Sequence, residues 1–327
     1  MTEECPLLSL PELPMRNVLE YLNYGDIQKL RKSCNLLRKF VDKSKIDFHV
    51  QSIKMNFKLG PNYCTPSIEL NFNYSGKQMT LQYWKHGNSS CYISAKESGL
   101  KLNSESIMNQ DYFDAFLEDF FILLGYVQTQ KSPLESFEMR GYTNCDPFLA
   151  NLKNSCDDGK KLKAKKLSID IEDDIDAFNI LQCFDAKFVK NLKIDHQETT
   201  SATLSLEELS QMELWRQMEQ LEIKYFEVQS VADIWHLQEA RVPLERITTE
   251  EILSLKNKFL SSNPPRNCFE LVVYDTVDAE GAGLENEITR YFKTATSEKI
   301  LSMGLVHNTL TLKTIELSNV PNGVQVF

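Results

Sequence analysis

Side chains able to do chemistry are scarce and scattered in this chain of 327 residues. His49, His86, His196, His236 and His307 stand apart, with no HExxH pair and no Cys/His group at zinc spacing, so each reads as a surface or internally satisfied histidine. No GxSxG elbow occurs. The one Gly-Lys pair, Gly159-Lys160, lacks the earlier glycine of a phosphate loop and the Ser or Thr that follows its lysine. Gly281-Ala282-Gly283-Leu284-Glu285-Asn286 falls short of a dinucleotide fingerprint because Asn286 takes the place of the third glycine, and an acidic turn before a helix explains it better. Asp170, Glu172, Asp173, Asp174 and Asp176 evoke calcium, yet they lack the loop glycine and bidentate glutamate of an EF-hand. Acidic charge at a helix N-terminus, where it complements the macrodipole, is the better account. No catalytic group, cofactor or metal site emerges, and an unrecognised hydrolase or transferase would require a histidine beside a Cys or carboxylate in one pocket.

Charge narrows the partners. Lys and Arg total 36 against 46 Asp and Glu, a net charge of −10, which weighs against nucleic acid and anionic membrane. Lys160, Lys161, Lys163, Lys165 and Lys166 are the exception, read as a solvated loop rather than an import signal or an acidic partner's contact. No aromatic residues interleave with them to make a stacking platform for single strands. No apolar run reaches the roughly 18 residues a membrane helix needs, and the start MTEECPLL is acidic where a secretory signal is basic. Eight cysteines without a CxxC pair fit reduced thiols, so the chain is expected in the cytoplasm, the nucleus or both. Asn73-Tyr74-Ser75 and Asn88-Ser89-Ser90 match the glycosylation pattern but read as strand or turn residues.

The elements follow from periodicity. Leu10 to Asp42 carries helical spacing: Val18, Leu19 and Leu22 on one face, then Leu30, Cys34, Leu37 and Val41 at steps of four, three and four. Two or three short helices of this length bury too little apolar surface to fold alone, so they pack on the rest of the chain or on a partner. From Ile53 to about Ala95 strict alternation predicts an antiparallel meander with one buried face, turning at Ser75-Gly76-Lys77 and His86-Gly87-Asn88. Asp111 to Val127 returns to helical spacing with a broad aromatic stripe, read as core. Beyond Ser132 the triplets starting at Phe137, Leu167, Leu192 and Leu221 recur as short strands, with helices over Asp146 to Leu152, Ile175 to Cys183 and Leu206 to Met218. Such a period predicts leucine-rich-repeat-like stacking into a mainly parallel sheet, with an irregular α/β domain as the alternative. Thr248 to Glu251 opens a helix as a capping box that Asn263-Pro264-Pro265 stops. Cys268 to Tyr274 is a strand, Asp275 to Gly283 turn-rich, Leu284 to Phe292 helical and Leu310 to Leu317 a late strand.

The block from Leu10 to Asp42 resembles an F-box of the expanded nematode type. The resemblance rests on Leu10-Pro11, Val18-Leu19-Glu20-Tyr21-Leu22, Asp26-Ile27-Gln28, Leu30-Arg31-Lys32-Ser33-Cys34 and Leu36 to Asp42, with the Leu-Arg-Lys-x-Cys and Leu-Arg-x-Phe pieces the most specific. The chain beyond this block is similar to the FTH domain that accompanies such F-boxes, through the meander, the aromatic helix, Trp215 to Leu221 and the Thr248 to Ser261 helix. The resemblance implies a non-catalytic substrate adaptor of a ubiquitin ligase. Its F-box would hold a Skp-type adaptor, and through it cullin, while its C-terminal domain selects an unknown protein target. Leu10, Pro11, Val18, Leu19, Leu22, Ile27, Leu30 and Cys34 would contact the Skp adaptor, with Arg31 at the rim, although some of these must serve as core. Pro14 replaces the aliphatic residue usual in the family, which a helix tolerates only in its first turn.

The chain is thus expected to be α+β or α/β: a three-helix F-box over 5–45, a meander plus aromatic helix over 46–131 beginning the FTH region, and a repeat-like α/β FTH domain over 132–327. The competing reading is a repeat-type protein-binding scaffold that works without a ligase, its N-terminal helices merely capping the solenoid.

Overall fold

Three short helices lead into an antiparallel meander, and a second body is built on a mixed sheet with helices, so the chain is α+β. The computed structural model describes residues 10–327 except 45, 59–65, 88, 99–103, 142–145, 158, 197–201, 263–267, 275–283, 285–288 and 295–297. The chain divides into two units, Met1–Phe137 and Glu138–Phe327. Among the described residues no helix is long and apolar enough to cross a membrane. The Asn263-Pro264-Pro265 stop, the turn-rich 275–283 stretch and most of the Gly281 to Asn286 near-fingerprint lie outside the described residues.

In the first unit, helix α1 (Glu12–Tyr21) starts directly behind Pro11, and its first i−4 bond runs from the Met15 N–H to the Pro11 carbonyl at 3.2 Å. Pro14 therefore sits inside the first turn, where the missing N–H has no partner to lose. Helix α2 (Tyr24–Ser33) is capped by Asn23, whose Oδ1 accepts from the Asp26 N–H at 2.8 Å. Helix α3 (Asn35–Lys43) is capped by Cys34, whose sulfur accepts from the Leu37 N–H at 3.4 Å.

Strands β1 (Val50–Lys58), β2 (Ser67–Tyr74), β3 (Lys77–His86), β4 (Ser90–Glu97) and β5 (Ser104–Met108) pair in sequence as the expected meander. The β2–β3 link is the two-residue turn Ser75-Gly76, both at positive φ (45° and 77°), a conformation that glycine enters without steric cost. Alternation buries Ile53, Met55, Phe57, Ile68, Leu70, Phe72, Met79, Leu81 and Tyr83 on one face. Helix α4 (Tyr112–Thr129) lays its aromatic stripe on that face, with Phe116 in edge contact with Phe57 and Tyr83 at 5.7 and 5.9 Å. The Gln130 side chain behind it accepts from the Val50 N–H and donates to the Val50 carbonyl, both at 3.0 Å. Strand β6 (Leu134–Arg140) spans the division between the units.

The helical block completes its core by borrowing one. Tyr24, the first residue of α2, is 2% exposed and meets four rings of the meander side: Phe72, Phe48, Tyr74 and Tyr126, at centroid distances of 4.8, 5.5, 6.1 and 6.4 Å. Such tilted and edge-to-face pairs add to area burial.

In the second unit, α5 (Asp146–Asp157), β7 (Ala164–Ile171), α6 (Asp174–Leu181), β8 (Asn191–His196), β9 (Ala202–Leu204), α7 (Glu207–Gln211), α8 (Glu213–Gln217), β10 (Gln220–Lys224), β11 (Phe226–Val228), β12 (Glu239–Leu244), α9 (Thr249–Ser261) and β13 (Cys268–Val273) come in order. Strands β7, β8, β10, β12 and β13 are parallel, and Leu167, Leu192, Leu221, Ala240 and Phe269 align as one buried row across them. The Ala240 rung escapes the sequence periodicity because it comes 240 − 221 = 19 residues after Leu221, against 29 for the steps on either side (221 − 192 and 269 − 240). The sheet then turns antiparallel through β14 (Thr289–Lys293), β15 (Lys299–Val306) and β16 (Thr309–Glu316), in the order β14-β15-β16-β13.

Two expectations change here. The described end of the expected Leu284 to Phe292 helix is not helical, since Thr289–Lys293 is a strand whose Thr, Tyr and Phe suit a half-buried ladder beside β15, while residues 285–288 lie outside the described residues. Leu206 to Met218 is two single-turn helices, broken at Met212, whose ψ of 141° is extended. The capping box at Thr248 is present in full, and Asp173 caps α6 by accepting from the Asp176 N–H at 2.9 Å. At the outer edge of β14, Phe327 accepts from the Lys293 N–H and donates to the Tyr291 carbonyl, both at 2.9 Å.

Tyr24→Ala is expected to remove about 3–5 kcal/mol of stability by cavity formation, read by urea unfolding. Tyr24→Phe should cost nothing or stabilise, because the buried hydroxyl has no hydrogen-bond partner among the described residues.

Candidate functional site

Helix α1 is apolar on two sides, and among the described residues only one is buried. Met15 and Leu19 face inward, at 6% and 1% exposure. Pro14, Val18 and Tyr21, at steps of four and three, lie on another side, with Leu10 just ahead of the helix. There Leu10, Val18 and Tyr21 are 38%, 37% and 90% exposed, and Leu13 beside them is 70% exposed. Leu36 at the start of α3 adds a fifth exposed apolar side chain. Large apolar groups this open and this close in sequence are a feature of association surfaces.

The eight residues singled out from sequence therefore divide. Leu10, Pro11, Val18 and Cys34 are exposed, and Leu22 and Leu30 are half-buried. Leu19 and Ile27, at 1% and 0% exposure, belong to the core of the first unit and have no surface to offer in this conformation. Arg31 is not a rim residue either. Its side chain is 11% exposed, and its Nε and Nη2 grip the Asp42 carboxylate at 2.7 and 3.4 Å, clipping α2 to α3. Burial works against its charge, but Asp42 more than compensates, so the guanidinium is held charged more firmly than usual. Sequence reading passed over Leu13, Tyr21 and Leu36. Their signal was present: apolar residues off the buried periodicity of an otherwise polar helix.

Lys32 approaches Asp119 of α4 at 4.0 Å, and the Tyr83 hydroxyl donates to the Asp119 Oδ2 at 2.8 Å. Burial drives the Asp119 carboxyl above its ordinary value, only partly opposed by Lys32 and the Tyr83 bond. Beyond the end of α1 lies a cleft of about 620 Å³, lined by Tyr21, Leu22, Tyr74 and Lys77 among others. No histidine is among its described lining residues. His236 Nε2 lies 2.7 Å from the Trp215 carbonyl, His49 Nδ1 3.2 Å from the Ser132 hydroxyl, and the His196 ring packs on Phe226 at 4.6 Å. Among the described residues no His, Cys, Asp and Glu group is arranged to hold a metal ion.

Comparison with protein families matches the F-box domain model over residues 7–49 and the FTH domain model over residues 146–281. The first match contains all three short helices, and the second lies inside the second unit, starting well beyond the meander. No curated protein and no solved structure matches the chain.

Asp119 contributes a term to the first unit's stability that falls with rising pH. Its folded-state pKa is raised, so its contribution is complete below the ordinary value of 3.8 and is lost as pH climbs through the raised one. Asp119→Asn keeps an acceptor for Tyr83 and removes that loss. The variant is expected to melt higher than the parent at pH 7 and level with it near pH 4, and a gap independent of pH would refute the assignment.

Proposed function

We propose, for a chain that carries an F-box domain ahead of an FTH domain, that it is a substrate-recognition adaptor of a Skp-cullin-F-box ubiquitin ligase. F-box proteins of this kind are generally non-catalytic: the transfer chemistry belongs to the enzymes they recruit. The F-box supports an adaptor role in general. The observation that carries the reading further is the set of apolar side chains on and just ahead of α1, Leu10, Leu13, Val18 and Tyr21, which are exposed among the described residues. Fully burying a large apolar side chain is worth about 1.5–3 kcal/mol, less for the partly covered Leu10 and Val18, and a tyrosine as open as Tyr21 is the residue type that anchors interfaces.

In this reading a Skp-type adaptor covers the stripe, with Pro11, Leu22, Leu30, Leu36 and Cys34 around it, and cullin joins through that adaptor. The second unit takes a protein target on a leucine-rich-repeat-like array, for which the aligned row Leu167, Leu192, Leu221, Ala240 and Phe269 is the supporting feature. Residence in the cytoplasm or nucleus accords with that partnership.

A second reading has its own support. Tyr24 is buried among meander rings, so the helical block is also a structural part of the first unit, as a scaffold without a ligase would require. Removing residues 1–45 does not separate the two, because it strips Tyr24 from the core in either case. Surface substitution does. Val18→Asp with Tyr21→Asp, both at exposed positions, is expected to abolish copurification with the Skp adaptor while leaving the circular dichroism melt in place. Retained capture, or no capture by the parent chain, would overturn the adaptor reading.

A further inference from the structure

Residues Val324 to Phe327 lie along the outer side of β14 as a strap, without forming a regular strand. Their pairing is parallel, with Val326 opposite Tyr291. It is held by the two bonds of Phe327, whose N–H donates to the Tyr291 carbonyl and whose carbonyl accepts from the Lys293 N–H, each at 2.9 Å. At Val324 the chain turns off the edge: its N–H donates to the Pro321 carbonyl at 3.3 Å, and Gly323, at a φ of 82°, makes the corner. The strap's bonds to β14 therefore fall between Tyr291 and Lys293, and Thr289, at the head of this strand of 5 residues, lies beyond them.

Two further observations set this contact apart from core packing. Pro321 to Gln325 are exposed, and so is Phe327 at 55%, while Val326 is half-buried. The Phe327 ring lies 5.8 Å from that of Phe292, but Phe292 has its own support, because Lys256 of α9 places its Nζ 3.7 Å from the Phe292 ring centroid. The strand itself is held by β15 along its whole length, from Thr289 to Lys293. Both the ring platform and the outward N–H and C=O groups thus belong to the sheet, and they stay in place when the strap leaves. The strap's advantage is its tether: a segment attached through a short linker acts at an effective concentration on the order of millimolar, so weak contacts suffice to seat it. A free segment that pairs with the full strand makes more main-chain bonds than the strap does.

We infer that the outer edge of β14 is an acceptor site for an extended segment of a protein partner, closed in cis by residues 324–327. The strap shows the chemistry of the occupant: parallel main-chain pairing, a β-branched residue opposite Tyr291 and an aromatic ring on Phe292. The site lies in the second unit and stands whether or not the helical block docks a Skp adaptor.

The test is fluorescence anisotropy of a fluorescein-labelled peptide with the sequence of residues 322–327, Asn-Gly-Val-Gln-Val-Phe, titrated with the full chain and with its Phe327→Pro variant. Extended in the strap's register, the peptide reaches Thr289. Phe327→Pro removes the N–H and the ring that seat the strap, at an exposed position, so circular dichroism should show an unchanged fold. The variant is expected to bind the peptide at least about tenfold more tightly than the parent, since the tethered competitor is gone. Adding Lys293→Pro, which deletes the outward donor at an exposed position of the edge, should lower that binding at least about tenfold, and so should serine in place of the peptide's phenylalanine. No binding to Phe327→Pro, equal binding to parent and variant, indifference to either weakening change, or a Phe327→Pro dimer in light scattering that the peptide does not dissociate would overturn the inference.

Discussion

Everything at the N-terminal side depends on where one aromatic ring goes. A block of three helices, each of ten residues or fewer, cannot enclose a core, and the solution adopted is to send Tyr24 out of the block into the ring cluster of Phe48, Phe72, Tyr74 and Tyr126. Once α2 is fixed there, Arg31 can hold Asp42 and so fix α3, while Leu19 and Ile27 close the space beneath α1. That arrangement buries one face of α1, through Met15 and Leu19, and among the described residues leaves the other exposed.

The second unit solves the same problem by repetition. No strand–helix unit there covers its own apolar row, and the row is covered because neighbours align it in register. The alternate positions on the same strands carry charges that pair across rungs, as Lys193 does with Glu222 at 3.9 Å and Arg241 with Glu270 at 3.6 Å.

Legibility in the sequence tracked the range of the forces involved. The meander, α4, the capping box at Thr248 and the helix at Asp174 were readable because their signals are local: alternation, a 3.6-residue period, a cap three residues from its donor. The Thr289 strand was misread because its pairing with β15 is tertiary, and an apolar pair such as Tyr291 and Phe292 suits either state. Within the docking surface, residue type alone could not separate Val18 from Leu19. Both are apolar neighbours on one helix, and only the tertiary packing of α1 decides which of them faces the core. Arg31 was misplaced for the same reason, since a guanidinium looks solvent-bound until Asp42, eleven residues away, is seen to meet it.

The contact of Phe327 with β14 bears on assembly rather than on stability. An open edge strand with its N–H and C=O groups unpaired is a template on which another molecule's strand can add, and a sheet that ends in one can polymerise. Here Phe327 takes up the Lys293 N–H and the Tyr291 carbonyl, and its ring lies 5.8 Å from that of Phe292. Phe327 thus acts as a stopper on the ladder, so β14 terminates the sheet instead of offering the next copy a place to join.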